Sequence, residues 1–467
     1  MKTLAESSAM AAQVERRFAQ WLAAGGASHA LRVQSCSATG WGLEARLDVA
    51  KGAALATLPP AFHLTVDSLP QPKRKQLQHI VNAVDANQWQ MKVGLVVLAH
   101  RAQGLSSFYQ PYLETLPSRF SLPAFWSPEE VQALDYAPLV HELGQNARYA
   151  VQFCGERLGA RSADCFEGAE IDPGALIWAA SVVSSRAFRF GALAQQAGSM
   201  LPFMDIANHS FAGSNAEQVL HADGSIVMRA ARDIQAGEPV LISYGHLDNT
   251  ALLRDYGFVD DDNPYERVAL MWSPSFWARA REAAGLGHLP FGDCDEKGGA
   301  SAPEAVLPLP WQSQVLRALG LEGEAGDPRL NPGLMLGRSA ELSDGRLLAA
   351  LRVMFTPSES DASKRTPADL TKAGKEGALG QIAEVAMNKT IGAAAKLAAE
   401  HFVSSVEEDD AAVARGLGDN MELALRFRAA KKRCLRDVEA WSRQAASDVA
   451  SGHRADSAKA AQGGGWY

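Results

Sequence analysis

Leu201-Pro-Phe-Met-Asp-Ile-Ala-Asn-His-Ser210, then Val240-Leu-Ile-Ser-Tyr-Gly245, then Asp255-Tyr-Gly-Phe-Val259: these three runs decide how the chain is read. The first carries an Asp, an Asn and a His at the end of an apolar run that is half strand-like. The second is an apolar strand ending in a Ser-Tyr-Gly turn, and Thr250-Ala-Leu-Leu253 adds a short helical pattern before the third. A glycine after each tyrosine frees the backbone where a phenol is presented. The set holds no strong nucleophile–base pair and no metal-ligand set. It suits a site that binds, orients and desolvates.

Taken in order, the runs read Pro-x-x-Asp-x-x-Asn-His-Ser, Ser-Tyr-Gly and Leu-Leu-x-x-Tyr-Gly-Phe-Val. A single such motif recurs by chance; three in order do not. The pattern resembles the SET-domain protein methyltransferases, in the class that includes the plant Rubisco large-subunit lysine methyltransferase. The resemblance implies an α+β fold, with a β-rich SET domain over residues 30–265 split by a helical insertion at about 77–195. It further implies an all-helical substrate-binding domain over 266–450, preceded by an N-terminal helix (1–29) and followed by a disordered tail (451–467).

Working outward, the chain has 467 residues, so two or three domains are expected. With 47% hydrophobic and 21% charged residues it reads as an ordinary soluble globular protein. A net charge of -8 argues against nucleic-acid backbone binding. No apolar run approaches the roughly 20 residues that span a bilayer. Cys36, Cys154, Cys165, Cys294 and Cys434 are scattered without Cys-x-x-Cys spacing, which reads as reduced intracellular thiols and excludes a cysteine zinc site. An intracellular soluble monomer is expected, in cytoplasm, nucleus or plastid. Near the start, Val14, Phe18, Trp21 and Leu22 fall at helical spacing before Gly25-Gly26 and predict a docked amphipathic helix.

Residues 31–66 are β-patterned and contain Thr39-Gly-Trp-Gly-Leu-Glu-Ala45. Taken alone, Gly-x-Gly reads as a tight hairpin turn, and the strand-like surroundings exclude a Rossmann site. By the resemblance, Thr39, Gly40 and Trp41 line S-adenosyl-L-methionine. The insertion carries Ser107-Phe-Tyr-Gln-Pro-Tyr-Leu-Glu-Thr-Leu-Pro117 and Pro123-Ala-Phe-Trp-Ser-Pro-Glu-Glu130, read as aromatic anchors and a helix start with Ser127 at the N-cap and Glu130 at N3. No chemistry is assigned to them. Ser184-Ser-Arg-Ala-Phe-Arg-Phe190 ends an apolar helix, and a buried Arg needs an anionic partner. The resemblance supplies the carboxylate of the methionine part of the cofactor for Arg186; the plainer reading is a helix C-cap.

The resemblance also places Asn208 and His209 on the cofactor, Tyr244 at the catalytic position, and Phe188, Phe190, Asp205 and Tyr256 on the substrate side. The plainer reading of His209 is a satisfied buried histidine, and that of either tyrosine a core ring. Lysine-modifying relatives tend to hold an aromatic at the position of Phe188, whereas the branch that methylates histidine on actin has Asn there and Trp at the position of Met204. Both residues favour lysine. The function implied is therefore an S-adenosylmethionine-dependent protein-lysine N-methyltransferase acting on a non-histone protein. A protein-histidine methyltransferase and an inactive SET-like interaction protein are the alternatives.

The chemistry explains the sparse site. Lysine has an ordinary pKa of about 10.4 and must be neutral to accept a methyl group. An aromatic channel beside a sulfonium lowers that pKa by desolvation and like-charge repulsion. Orientation then supplies much of the acceleration, and neither tyrosine needs to ionise.

Beyond residue 264 the pattern changes to Gly-, Asp- and Pro-rich loops and amphipathic helices, with Phe427, Cys434, Val438 and Trp441 on one face. Lys431-Lys-Arg433 reads as a solvated helix face, Glu407-Glu-Asp-Asp410 as a solvated charge run at a helix start, and residues 356–377 as a polar linker or loop.

Overall fold

The computed structural model describes residues 16–17, 19–36, 40–158, 164–189, 198–292, 308–321, 333–356, 358–374 and 377–452. Val14, Phe18, Thr39, Phe190, Cys294 and the tail from residue 453 lie outside the described residues.

Strands β1 (Ser28–His29), β4 (Ala54–Leu58), β9 (Ile226–Ala230) and β8 (Ala216–Leu220) form one four-stranded antiparallel sheet in the order β1-β4-β9-β8. A second sheet runs β2 (Leu31–Cys36), β3 (Gly40–Ala45), β10 (Pro239–Ile242) and β7 (Asn208–His209). Within it β10 lies antiparallel to β3 and parallel to β7, with Leu241 opposite Asn208 and Ile242 opposite His209. The first and second runs quoted above are thus hydrogen-bonded neighbours. Asn215 stitches the edge, its amide donating to Pro239 O at 2.8 Å and its carbonyl accepting from Leu241 N at 2.8 Å.

Helices from the insertion cover this β-rich part. The Pro173–Arg186 helix starts at an Asp172 cap, which accepts from Ala175 N at 2.7 Å, and has Pro173 in its first turn. It packs against the Trp89–Ala102 helix. Gly94 allows the close approach, because a Cβ there would meet Ala179 C at 3.1 Å. The capping box expected at Ser127 and Glu130 is present. Trp21 and Leu22 dock as expected: Leu22 is buried and the Trp21 ring stands edge-on to Phe62 at 4.6 Å.

Among the described residues two hydrophobic cores result, and the insertion serves both. Leu77, Val93–Ala99, Phe153 and Val182 join the sheets in the first. Trp126, Leu134, Tyr136 and Leu139 instead join Trp272, Trp277, Leu351 and Phe427 in the second. Among its described residues the C-terminal part is helical apart from one antiparallel ribbon, β11 (Arg267–Leu270) with β12 (Leu334–Gly337). Its longest helices, Gln381–Ala399 and Asp419–Ala450, pack together.

Three readings of this region are corrected. Lys431 and Lys432 are not a solvated face: both are buried, Lys431 donating to Glu266 Oε1 at 2.6 Å and Arg267 O at 2.7 Å, Lys432 to Asp409 Oδ2 at 2.6 Å. Arg433 alone of the three reaches the surface, paired with Asp410. Within the acidic run Asp409 is buried between Arg428 and Lys432, while its neighbours Glu407 and Glu408 are exposed. Segment 356–377 is polar and largely exposed as read, but it is not a free loop: it carries the short helices Glu359–Ala362 and Pro367–Leu370, whose Ala362 and Leu370 are buried, and the buried Arg352 donates to Leu370 O and Lys372 O while pairing with Glu384 at 2.6 Å. In each case a charged residue follows a distant partner inward, because a buried ion needs a counter-ion and hydrogen bonds.

Candidate active site

The site is built where β7 and β10 end. Before β7 the chain makes a tight turn at Met204–Ile206, entered through Phe203, whose φ of 77° is left-handed and strained for a bulky residue. Burial of Phe203 and its ring contact with His29 at 4.4 Å hold that conformation. The turn sends Asp205 inward, with its side chain 0% exposed. After β10, Tyr244 follows one residue on, past Ser243. A single turn of π-helix, Leu252–Tyr256, then ends at Gly257 with φ 77° and presents Tyr256.

Tyr244 is the hub. Its backbone N–H donates to His209 Nδ1 at 3.0 Å, and its hydroxyl donates to Ala207 O at 3.0 Å. Its ring stacks on Tyr256 with centroids 4.5 Å apart and on His209 at 5.0 Å. Phe211 stands edge-on to His209 at 4.2 Å, and Phe258 lies beyond it. Burial pushes the Tyr244 phenol up to about 12 and raises that of Tyr256 too, with the Tyr244 neighbour adding to the latter. Both hydroxyls therefore stay protonated near neutral pH. Burial lowers the His209 pKa, and an accepting Nδ1 places the ring proton on Nε2. That Nε2 is buried with no hydrogen-bond partner among the described residues.

Asn208 turns its amide to β3, donating to Trp41 O at 3.0 Å. Trp41 is partly buried against the core, and Gly40 beside it has φ 82°. Arg186 ends its helix, and its Nη1 donates to Asp205 Oδ2 and to Asp205 O, each at 3.3 Å. Its anionic partner in the structure is Asp205, not a bare helix end. Tyr112 completes the group: its hydroxyl donates to Asp205 Oδ2 at 2.5 Å. Burial, countered in part by Arg186, raises the Asp205 pKa; burial followed by the Asp205 charge raises Tyr112 well above its ordinary range. Burial works against the Arg186 charge, but Asp205, with Tyr112 and Tyr244, more than offsets it and raises the pKa.

The structure thus joins Arg186 to Asp205, Asn208 to Trp41, and Tyr244 to His209 and Tyr256. Phe188 lies in β5 (Ala187–Phe188), which pairs antiparallel with β6 (Ser199–Met200) and packs against the first core. Asp205 is more enclosed than a position at a pocket edge on the substrate side. Met204 is likewise buried in the core. Sequence reasoning missed Tyr112, which sits in a run read as purely structural; its only signal was an aromatic hydroxyl, and Tyr109 in the same run carries the same one. No group of three or more His, Cys, Asp or Glu able to hold a metal occurs among the described residues. No helix among them is long and apolar enough to cross a membrane.

A family model described as the SET domain matches residues 40–245. Curated relatives include actin-histidine N-methyltransferases of Canis lupus familiaris, 25% identical over 273 residues, and of Mus musculus, 26% identical over 275. These alignments cover 54% of this chain and 44% and 43% of the relatives, so the chain matches less than half the relatives' length. Among solved structures, the SET domain of LSMT bound to lysine and AdoHcy superposes with a TM-score of 0.64 at 18% identity, covering 94% of this chain and 93% of that one. Rubisco LSMT bound to AdoMet gives 0.64 at 17% identity with the same coverage. At that identity the likeness speaks for the fold.

Proposed function

From the premise that residues 40–245 of this chain are a SET domain, we propose that the protein is an S-adenosylmethionine-dependent protein methyltransferase. The observation that carries the reading is the cluster at the ends of β7 and β10, where a protonated tyrosine, a neutral histidine and a second stacked tyrosine surround one another.

The residues present fit the methyl donor. Arg186 Nε, Asp205 Oδ1 and His209 Nε2 are buried polar atoms with no hydrogen-bond partner among the described residues. Such atoms are costly to leave unpaired. They offer two donors and one acceptor to a zwitterionic amino-acid group. Arg186, Asn208, His209, Gly40 and Trp41 would hold the donor, together with Thr39 outside the described residues. When bound, S-adenosylmethionine supplies an electrophilic methyl group on a positively charged sulfur.

The chain's own residues do the rest by orientation. The Tyr244 proton is committed to Ala207 O, so the hydroxyl has lone pairs left to accept an N–H from an incoming amine. Holding that N–H directs the nitrogen lone pair away from Tyr244. Tyr256, with Phe188 on the channel side, provides aromatic faces that favour a cationic product.

We take lysine on a non-histone protein as the acceptor, because Phe188 supplies an aromatic wall for an aliphatic stem. Phe190, outside the described residues, is proposed on the substrate side as well. Histidine is the second reading, favoured by the actin-histidine N-methyltransferases among the relatives. The test is transfer of labelled methyl from S-adenosylmethionine into a protein extract, with the modified side chain identified by mass spectrometry. Label on lysine supports the first reading. Label on histidine replaces it with the second. An enzyme that binds the donor and labels nothing would leave an interaction protein.

A further inference from the structure

Tyr112 has no role in the scheme above, yet its hydroxyl makes the shortest hydrogen bond around Asp205, at 2.5 Å, from a ring that is 1% exposed. It comes from the short Gln110–Leu113 helix of the insertion, far in sequence from β7. The bond ends on Oδ2, the same oxygen that receives Arg186 Nη1 at 3.3 Å. Asp205 Oδ1 and Arg186 Nε are left buried without partners among the described residues.

That division is unusual for an arginine–carboxylate contact, which tends to close as a fork with two parallel N–H···O bonds. A fork here would consume both orphaned atoms. Tyr112 and Arg186 instead meet on one carboxylate oxygen, which leaves one acceptor and one donor of the same ion pair unpartnered among the described residues. An α-ammonium and an α-carboxylate need that combination. We infer that Tyr112 is a positioning residue: by holding Asp205 Oδ2 it keeps Asp205 from closing on Arg186, and so reserves Asp205 Oδ1 and Arg186 Nε for the amino-acid end of the methyl donor. This rests on the proposed function and adds a residue and a mode of recognition to it.

The experiment compares two probes that differ in that end. S-adenosylhomocysteine carries the amino-acid group; 5′-methylthioadenosine shares the nucleoside and thioether and lacks it. Binding of each to the full chain is measured by calorimetry for wild type, Tyr112→Phe and Asp205→Asn. Wild type is expected to prefer S-adenosylhomocysteine. Tyr112→Phe is expected to weaken it about tenfold, the worth of a hydrogen bond to a charged group, with 5′-methylthioadenosine held within about twofold. Retained 5′-methylthioadenosine binding also reports that the variant is folded. Asp205→Asn keeps the side-chain shape and should show the same selective loss, which covers the case in which Tyr112→Phe does not fold. Equal loss for both probes, or no loss for either, would assign Tyr112 to packing and overturn the inference while leaving the methyltransferase reading intact. Wild type that binds neither probe would overturn both.

Discussion

Replacing Lys431 by Met tests what joins the C-terminal helix to strand β11. The Lys431 side chain is 0% exposed and Glu266 4% exposed. The ammonium donates to Glu266 Oε1 at 2.6 Å and to Arg267 O at 2.7 Å, and sits 5.3 Å and 5.1 Å from the ring centroids of Tyr136 and Phe427. Burial alone would lower its pKa, but Glu266 and then Asp248 more than reverse that, so the ammonium keeps its charge. Met retains most of the apolar stem and deletes the charge. Glu266 would then be a buried carboxylate supported, among the described residues, by Asn249 and the Arg267 N–H. Breaking one side of such a pair costs about 3–5 kcal/mol. The assay is chemical denaturation followed by fluorescence of Trp272 and Trp277, which are buried in the same core. Lys431→Met with Glu266→Gln should recover a large part of the loss, since no bare charge remains. A single variant within about 1 kcal/mol of wild type, or a double variant no better than the single, would refute the argument.

Other outcomes follow from the same geometry. His100 is buried between Ser107 Oγ at 3.1 Å and Ser68 Oγ at 3.4 Å, and burial with the Lys73 charge lowers its pKa to about 4. A base depressed on folding contributes stability that is complete above pH 6.5 and is lost as pH falls towards 4, on the order of 3 kcal/mol; denaturation midpoints of His100→Gln should flatten over that window, and parallel curves would reject this. Gly257→Ala forces an alanine to φ 77° with its Cβ 3.3 Å from Leu122 Cδ2, which should cost about 1–2 kcal/mol in thermal unfolding; an unchanged melting temperature would contradict it. Arg352→Met removes the donor to Leu370 O and Lys372 O, so proteolytic cleavage near residues 370–374 should quicken; an unchanged digestion pattern would show that the segment is held by other contacts.

The sheet core was legible because its signals are local. Pro-x-x-Asp-x-x-Asn-His-Ser and Ser-Tyr-Gly are short runs whose turn chemistry and alternation survive in one dimension, and the structure sets them side by side as β7 and β10. What lay outside the sequence is long-range pairing. Lys431 and Lys432 look the same on paper whether they face water or Glu266 and Asp409; only the fold supplies those counter-ions. Tyr112 was hidden for the same reason, since its partner comes from a different part of the chain. The division of the insertion between two cores was equally invisible, because apolar residues at Leu95 and Leu139 carry no mark of which core they enter.

The central claim, that Tyr244 orients the acceptor amine by a hydroxyl already committed to Ala207 O, is tested most directly by single-turnover methyl transfer from S-adenosylmethionine, wild type against Tyr244→Phe. The account predicts that the variant binds S-adenosylhomocysteine as wild type does, while the transfer rate falls about 10²–10³-fold, the usual worth of one placed polar group. It also predicts a rate for wild type that does not follow phenol ionisation between pH 7 and 10, because burial holds Tyr244 at about 12. A Tyr244→Phe variant that transfers methyl at the wild-type rate would contradict it.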